Sequence, residues 1–127
     1  MYWNDLDGSV LLGKVFSEPV EISNIDVFDI KIDREGKTVI ISFDLVNQLP
    51  DNPPPKWPQG YNRCRCGINC SGVSELSIAG ISVDMPAKIN ITKLNDYIEI
   101  IIAGPDLHLS MKCSHIHFMG PTVYISH

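Results

Sequence analysis

The chain has 127 residues and a mass of 14.1 kDa, which allows one domain with a real hydrophobic core. A formal net charge of −5 argues against a nucleic-acid binder, which needs clustered Lys and Arg. No apolar run approaches the ~20 residues of a membrane-spanning helix, and the opening Met1-Tyr2-Trp3-Asn4-Asp5 is neither basic nor followed by an apolar signal core.

These features predict one cytoplasmic domain spanning residues 1–127, in which the four cysteines stay reduced. Asp7-Gly8-Ser9 offers N-caps to an apolar stripe of Val10, Leu11, Leu12, Val15 and Phe16, predicting one short helix anchored by Trp3 and Leu6. It must end before Pro19 and needs packing against a sheet to persist. Beyond it, Ile25 and Val27 stand in one phase while Phe28, Ile30 and Ile32 stand in the other, the pattern of a strand with a β-bulge near Val27. Asp33-Arg34-Glu35-Gly36-Lys37 then turns the chain into Thr38 to Leu45, making a hairpin.

In that second strand Val39, Ile41, Phe43 and Leu45 alternate with polar residues, and Tyr61 to Cys70 repeats the period with Cys64, Cys66, Ile68 and Cys70 on one face. The three thiols are therefore expected to be core. Between these strands runs a proline-dense crossing, Leu49 to Gly60, which has too few backbone donors to extend either ladder. It is expected to be ordered, with Trp57 packed on the sheet. Ser71-Gly72 predicts a hairpin into Val73 to Ile81. The strands Ala87 to Thr92, Tyr97 to Ala103 and Leu107 to Cys113 follow at short polar turns, and a last run holds Ile116, Phe118, Val123 and Ile125. The sum is a mainly β protein, an antiparallel meander curled into an open barrel or folded sandwich, with the short N-terminal helix packed on the sheet.

Charge is regional. Residues 1–51 hold ten acids and four bases, a balance of −6, while 52–127 hold five acids and six bases, a balance of +1. An acidic half favours capture of a basic partner. If Phe28, Ile30 and Ile32 lie opposite Phe43, Ile41 and Val39, then Asp29 faces Ser42 and the bulge brings Asp26 close to Asp44. Gathered like charges oppose folding, so Asp26, Asp29 and Asp44 become candidate partner-facing residues, joined by Asp51 and Trp57 of the crossing.

Other chemistry is weakly signalled. Cys113, His115 and His117 form the one alternative metal triplet, but Ile116 and Phe118 place a phase change near Ser114, and Cys64-Arg65-Cys66 lacks the spacing of a zinc knuckle. No cofactor is expected. There is no Gly-rich phosphate loop, no G-x-S-x-G and no H-E-x-x-H, and the thiols lack an activating environment, so no enzyme is expected either. A small-ligand or metal-binding β-barrel using the Cys and His strands is the alternative to a binding protein.

One further set of residues is distinctive. Trp3-Asn4-Asp5-Leu6-Asp7-Gly8-Ser9 with Leu11-Leu12 and Phe16, then Ile32-Asp33-Arg34-Glu35-Gly36, then Phe43-Asp44-Leu45 to Leu49-Pro50-Asp51-Asn52-Pro53-Pro54 with Trp57, and finally Ser71-Gly72-Val73-Ser74-Glu75-Leu76-Ser77-Ile78-Ala79-Gly80 resemble the immunity protein 50 family of bacterial polymorphic toxin systems. The likeness covers about the first two-thirds of the chain. It implies an antidote that binds the toxic C-terminal domain encoded by a neighbouring gene, without a catalytic residue of its own. Many toxins neutralised in this way are basic nucleases, for which an acidic surface is an apt decoy.

Overall fold

A computed structural model describes residues 1–127 as eight antiparallel strands, a 3-10 turn at Trp3–Asp5 and one short helix, α1, at Val10–Val15. The strands are β1 (Asn24–Asp33), β2 (Thr38–Leu45), β3 (Arg63–Ser71), β4 (Glu75–Ala79), β5 (Pro86–Lys93), β6 (Ile98–Ala103), β7 (His108–Cys113) and β8 (His115–Tyr124). They form one open sheet in the order β4-β7-β6-β5-β1-β2-β3-β8. The expected mainly β, antiparallel fold is what forms.

Two stretches of that order are local meanders, β1-β2-β3 and β5-β6-β7, made where the turn chemistry demands them. At the first turn Asp33 Oδ1 accepts from the amides of Glu35 and Gly36, and Lys37 adopts a φ of 50°. One expected hairpin does not form. The strand after Ser71-Gly72 pairs with β7, not with β3. Arg63↔Tyr124 through Ser71↔His115 pairs β3 with β8, with a register shift between Arg65 and Gly67, and Glu75↔Lys112 through Ala79↔His108 continues the pairing between β4 and β7 with the register moved by one residue across the corner. Residues 63–79 and 108–124 are thus one long antiparallel ribbon, bent once. At the bend Gly72 has a φ of 64°, and a Cβ there would collide with the Ser114 side chain. Ser114 N–H donates to Ser71 O at 2.9 Å, and Ser74 N–H donates to Lys112 O at 3.0 Å, so the ladder survives the corner.

The bend folds β5, β6, β7 and β4 over β1, β2, β3 and β8. Their facing sides share one core cluster of 25 buried residues. Cys64, Cys66, Ile68 and Cys70 all point into it, as their period of two requires. Burial also explains the hydrophobic alternation of β5 to β7, where Ile89, Ile100, Ile102, Leu109 and Met111 are inside. Trp3 closes the core at one side. Its ring lies 4.9 Å from Phe43 and 5.8 Å from Phe118, centroid to centroid, while its amide donates to Val20 O at 2.8 Å. Helix α1 presents Leu12 and Val15 inward and leaves Val10 and Leu11 exposed, so only half of the expected stripe is buried. Ser9 is the N-cap residue, yet its hydroxyl donates back to Leu6 O and Asn4 O and does not cap the helix.

β1 departs from expectation in a way that matters below. The bulge is Phe28 itself: Val27 pairs with Phe43 and Asp29 with Ser42. Val27 therefore takes the core position foreseen for Phe28, which is turned out and 60% exposed. Ile30 and Ile32 do lie opposite Ile41 and Val39, but Ile32 is 62% exposed. The reason is that β5 covers β1 only at Asn24–Asp26, so the far half of β1 runs on past its neighbour.

The proline-rich crossing is tied down at its beginning. Asn52 donates from its backbone to Val15 O at 2.9 Å and from Nδ2 to Lys14 O at 3.0 Å, satisfying carbonyls that the end of α1 leaves open. Tyr61 Oη donates to Pro50 O at 2.8 Å. Trp57 packs edge-on against Tyr61, with ring centroids 6.4 Å apart, and not on the sheet as the sequence suggested. Because Trp3 joins β2, β8 and the segment before α1, Trp3→Ala is expected to cost about 3–5 kcal/mol of stability, measurable as a lowered urea midpoint.

Candidate functional site

The Phe28 bulge organises the outer face of the sheet at the start of β1. Asp26 and Asp44 are cross-strand partners, as foreseen from the sequence. They are not equivalent. Asp44 is buried, and its carboxylate accepts from Arg65 Nε at 2.9 Å and Arg65 Nη2 at 3.4 Å. Tyr124 Oη also donates to Asp44 and itself accepts from Arg65 Nη2 at 2.8 Å. The Arg65 guanidinium carbon sits 3.7 Å from the centre of the Phe28 ring, a cation–π contact made possible by the bulge. Burial opposes the Arg65 charge, but the hydrogen bond and attraction from Asp44 outweigh it and raise its pKa. Burial, then the hydrogen bond and charge of Asp44, likewise push the Tyr124 phenol above the ordinary tyrosine range. Asp44 is thus committed inside the chain, and the repulsion expected between it and Asp26 is offset by Arg65.

Asp26 has no ion-pair partner. It lines a surface trench with Leu45 to Leu49, Asn62, Arg63, Asp84 and Pro86, enclosing about 840 Å³. Asn47, Gln48 and Leu49 carry the trench toward Glu18 and Asp51 at the end of α1. Asp26 and Arg63 carry it the other way to Phe28, Arg65, Val83 and Tyr124. Four carboxylates along this path, Glu18, Asp26, Asp51 and Asp84, and one cation, Arg63, form no salt bridge, and of the carboxylates Asp51 alone is held by hydrogen bonds within the chain. Large apolar side chains stand exposed beside them, Phe28 at 60% and Val83 at 101%. An exposed apolar group ringed by unpaired charge is the composition of a protein-binding surface.

The remaining candidates separate. Asp51 borders the trench, but its carboxylate accepts from the Ser17 amide at 2.8 Å and from the Ser17 hydroxyl, bonds that hold its pKa below the usual carboxylate value. Asp29 lies beyond the bulge, 4.0 Å from Lys31 Nζ, and Trp57 stays within the crossing. The metal triplet is divided. Cys113 is buried in the core, whereas His115 and His117 are exposed past the phase change at Ser114, and His115 Nε2 lies 3.5 Å from Asp7. No three His, Cys, Asp or Glu side chains converge on one point. Sequence reasoning missed Arg65, Tyr124, Asp84 and Val83. The last two carried a readable signal, an Ile81-Ser82-Val83-Asp84 loop too short and too exposed for its apolar content, between Gly80 and Pro86.

The family model for Immunity protein 50 matches residues 8–124 of this chain. The chain belongs to the immunity protein 50 family. Searches of curated proteins and of solved structures found no match. The immunity protein 50 match runs from just before α1 to the end of β8, further than the two-thirds legible by eye, and it includes the whole bent ribbon and every residue of the Asp44 cluster.

Two outcomes are expected for this immunity protein 50 chain. Asp44→Asn leaves Arg65 half-buried without its counter-charge and should cost about 1.5–3 kcal/mol. It should also lower the Tyr124 pKa toward normal, readable by phenolate absorbance; because the native phenol titrates high, its contribution to stability is lost as alkaline pH rises through that pKa. Cys66 and Cys70 should react with an aqueous disulfide reagent only at the rate of unfolding, since a hydrogen bond to a neighbouring thiol and burial both push them upward.

Proposed function

We propose that this immunity protein 50 member is an antidote that binds the toxic C-terminal domain encoded by a neighbouring gene and silences it by occupying its working surface, with no chemistry of its own. The family supplies the class of activity. The observation that carries the reading to a surface is the trench, where Glu18, Asp26 and Asp84 lie unpaired beside exposed Phe28 and Val83. Unpaired carboxylates accept cations from a partner, and the exposed apolar groups bury against it at little cost in lost water contacts.

A basic nuclease suits this surface best. Its own groove is built to hold phosphate, so carboxylates presented at phosphate-like positions compete for the same Lys and Arg side chains. Of the residues singled out from the sequence, Asp26 faces the partner, Asp44 holds Phe28 in its outward pose by way of Arg65, and Asp51 fixes the trench wall through Ser17. Asp29 and Trp57 lie outside the trench.

The double variant Asp26→Asn with Asp84→Asn removes charge without removing a folded-state contact. Its association with the purified toxin domain should slow about tenfold at low salt, with the dissociation rate little changed. The difference should vanish near 1 M salt, where the Debye length is about 3 Å. Wild-type association by the double variant at low salt would place the toxin on another face.

A further inference from the structure

We infer that the free outer edge of β1, residues 28–33, is a docking strand onto which an extended segment of the toxin adds, its side chains alternating between apolar and cationic. This rests on the antidote reading above and specifies how the partner is held. β1 is ten residues long, but β5 covers only Asn24–Asp26, and the last bond on that side is from Val27 N–H to Met85 O at 3.0 Å. From Phe28 onward β1 pairs with β2 alone. In an antiparallel pair every second residue turns its N–H and C=O away from its neighbour, so this stretch presents a row of unused donors and acceptors.

The other edges of the sheet are covered, short or interrupted by proline, whereas the β1 edge is marked only by its bulge at Phe28 and by Lys31. On β8, Asp7 O accepts the Phe118 amide at 2.7 Å, and Pro121 has no donor to offer. β4 has only five residues and stops at Gly80, which is pressed against the backbone of Asp106. The open end of β5 is short and finishes on Lys93. The β1 edge instead holds Ile32, 62% exposed, and no proline.

The two faces of this edge say what would sit beside it. On the side shared with Ile30 and Ile32, a depression of about 250 Å³ has an apolar part, Ile32, Val39, Val73 and Leu76, bordered by charged and polar residues of the β1–β2 turn and of the start of β4. Apolar side chains of an added strand would fill it. On the opposite side are Asp29, Lys31 and Asp33; Lys31 Nζ lies 4.0 Å from Asp29 Oδ2, while Asp29 Oδ1 is buried with no hydrogen-bond partner. A Lys or Arg of the added strand, facing that side, supplies the missing donor. The alternation follows directly from the strand period. The edge also begins at Phe28, where the trench ends, so one partner can engage both.

The test is amide hydrogen exchange on the full chain, alone and bound to the catalytically inactivated toxin domain of the neighbouring gene. Amides within 28–33 should slow by about tenfold or more in the complex, while those of 75–79 and 115–121 do not. Ile32→Lys, at an exposed position, should keep the wild-type melting temperature and weaken the complex about tenfold or more. A complex that leaves exchange at 28–33 unaltered overturns strand addition, whatever the variant does, and leaves the antidote reading standing. Failure of any complex to form overturns both.

Discussion

The molecule depends on one bent ribbon. Residues 63–79 and 108–124 stay paired on both sides of the corner at Gly72 and Ser114, so the apolar faces of β3 and β8 turn with the chain and meet those of β4 and β7. Without that turn the sheet would be flat, with one hydrophobic side open to water. With it, two four-stranded halves share one core, and Trp3 seals the side where β2 and β8 approach. The corner needs a residue free to adopt positive φ with no side chain, and glycine provides both.

A second constraint follows from folding a sheet in this way. On the side away from the ribbon, β1 pairs with β5 only at Asn24–Asp26 and must then diverge from it. The bulge at Phe28 occurs where they part. It shifts the strand's phase, so Val27 stays in the core and an aromatic ring moves outside, where the Arg65 guanidinium covers it. Arg65 is available for that contact because Asp44 and Tyr124 neutralise and orient it. A backbone irregularity thus creates the exposed apolar group beside the trench, and a buried polar cluster holds it in place. Bulges commonly re-aim a side chain beside a functional surface, and this one does so next to an unpaired Asp26.

Much of this was legible beforehand, and the misses have definite causes. The β2 strand, its inward residues, the buried cysteine face and the pairing of Asp26 with Asp44 all follow from a period of two and a turn at Asp33 to Lys37. The bulge was visible as a phase change, but not which residue it would expel; both Val27 and Phe28 are apolar, and only the packing beneath β1 chooses between them. Asp44 read as a surface charge because its neutralising partner, Arg65, is 21 residues away on a different strand. The crossing is tied to the end of α1 through Asp51 and Asn52, and not to the sheet through Trp57.

The sequence by itself determined the strands, the β1–β2 turn, the side of each strand other than β1 that faces the core, the acidic bias of the first half and the family. Each of these is encoded by alternation, turn residues or composition within a short window, where local sterics and burial act alone. Tertiary structure decided which distant strands pair, β3 with β8 and β4 with β7, and where β1 loses its neighbour. Those outcomes depend on how two apolar faces of fixed area close over one another. Strand alternation is identical for every partner, so only the packed core selects among pairings and leaves one edge of β1 open.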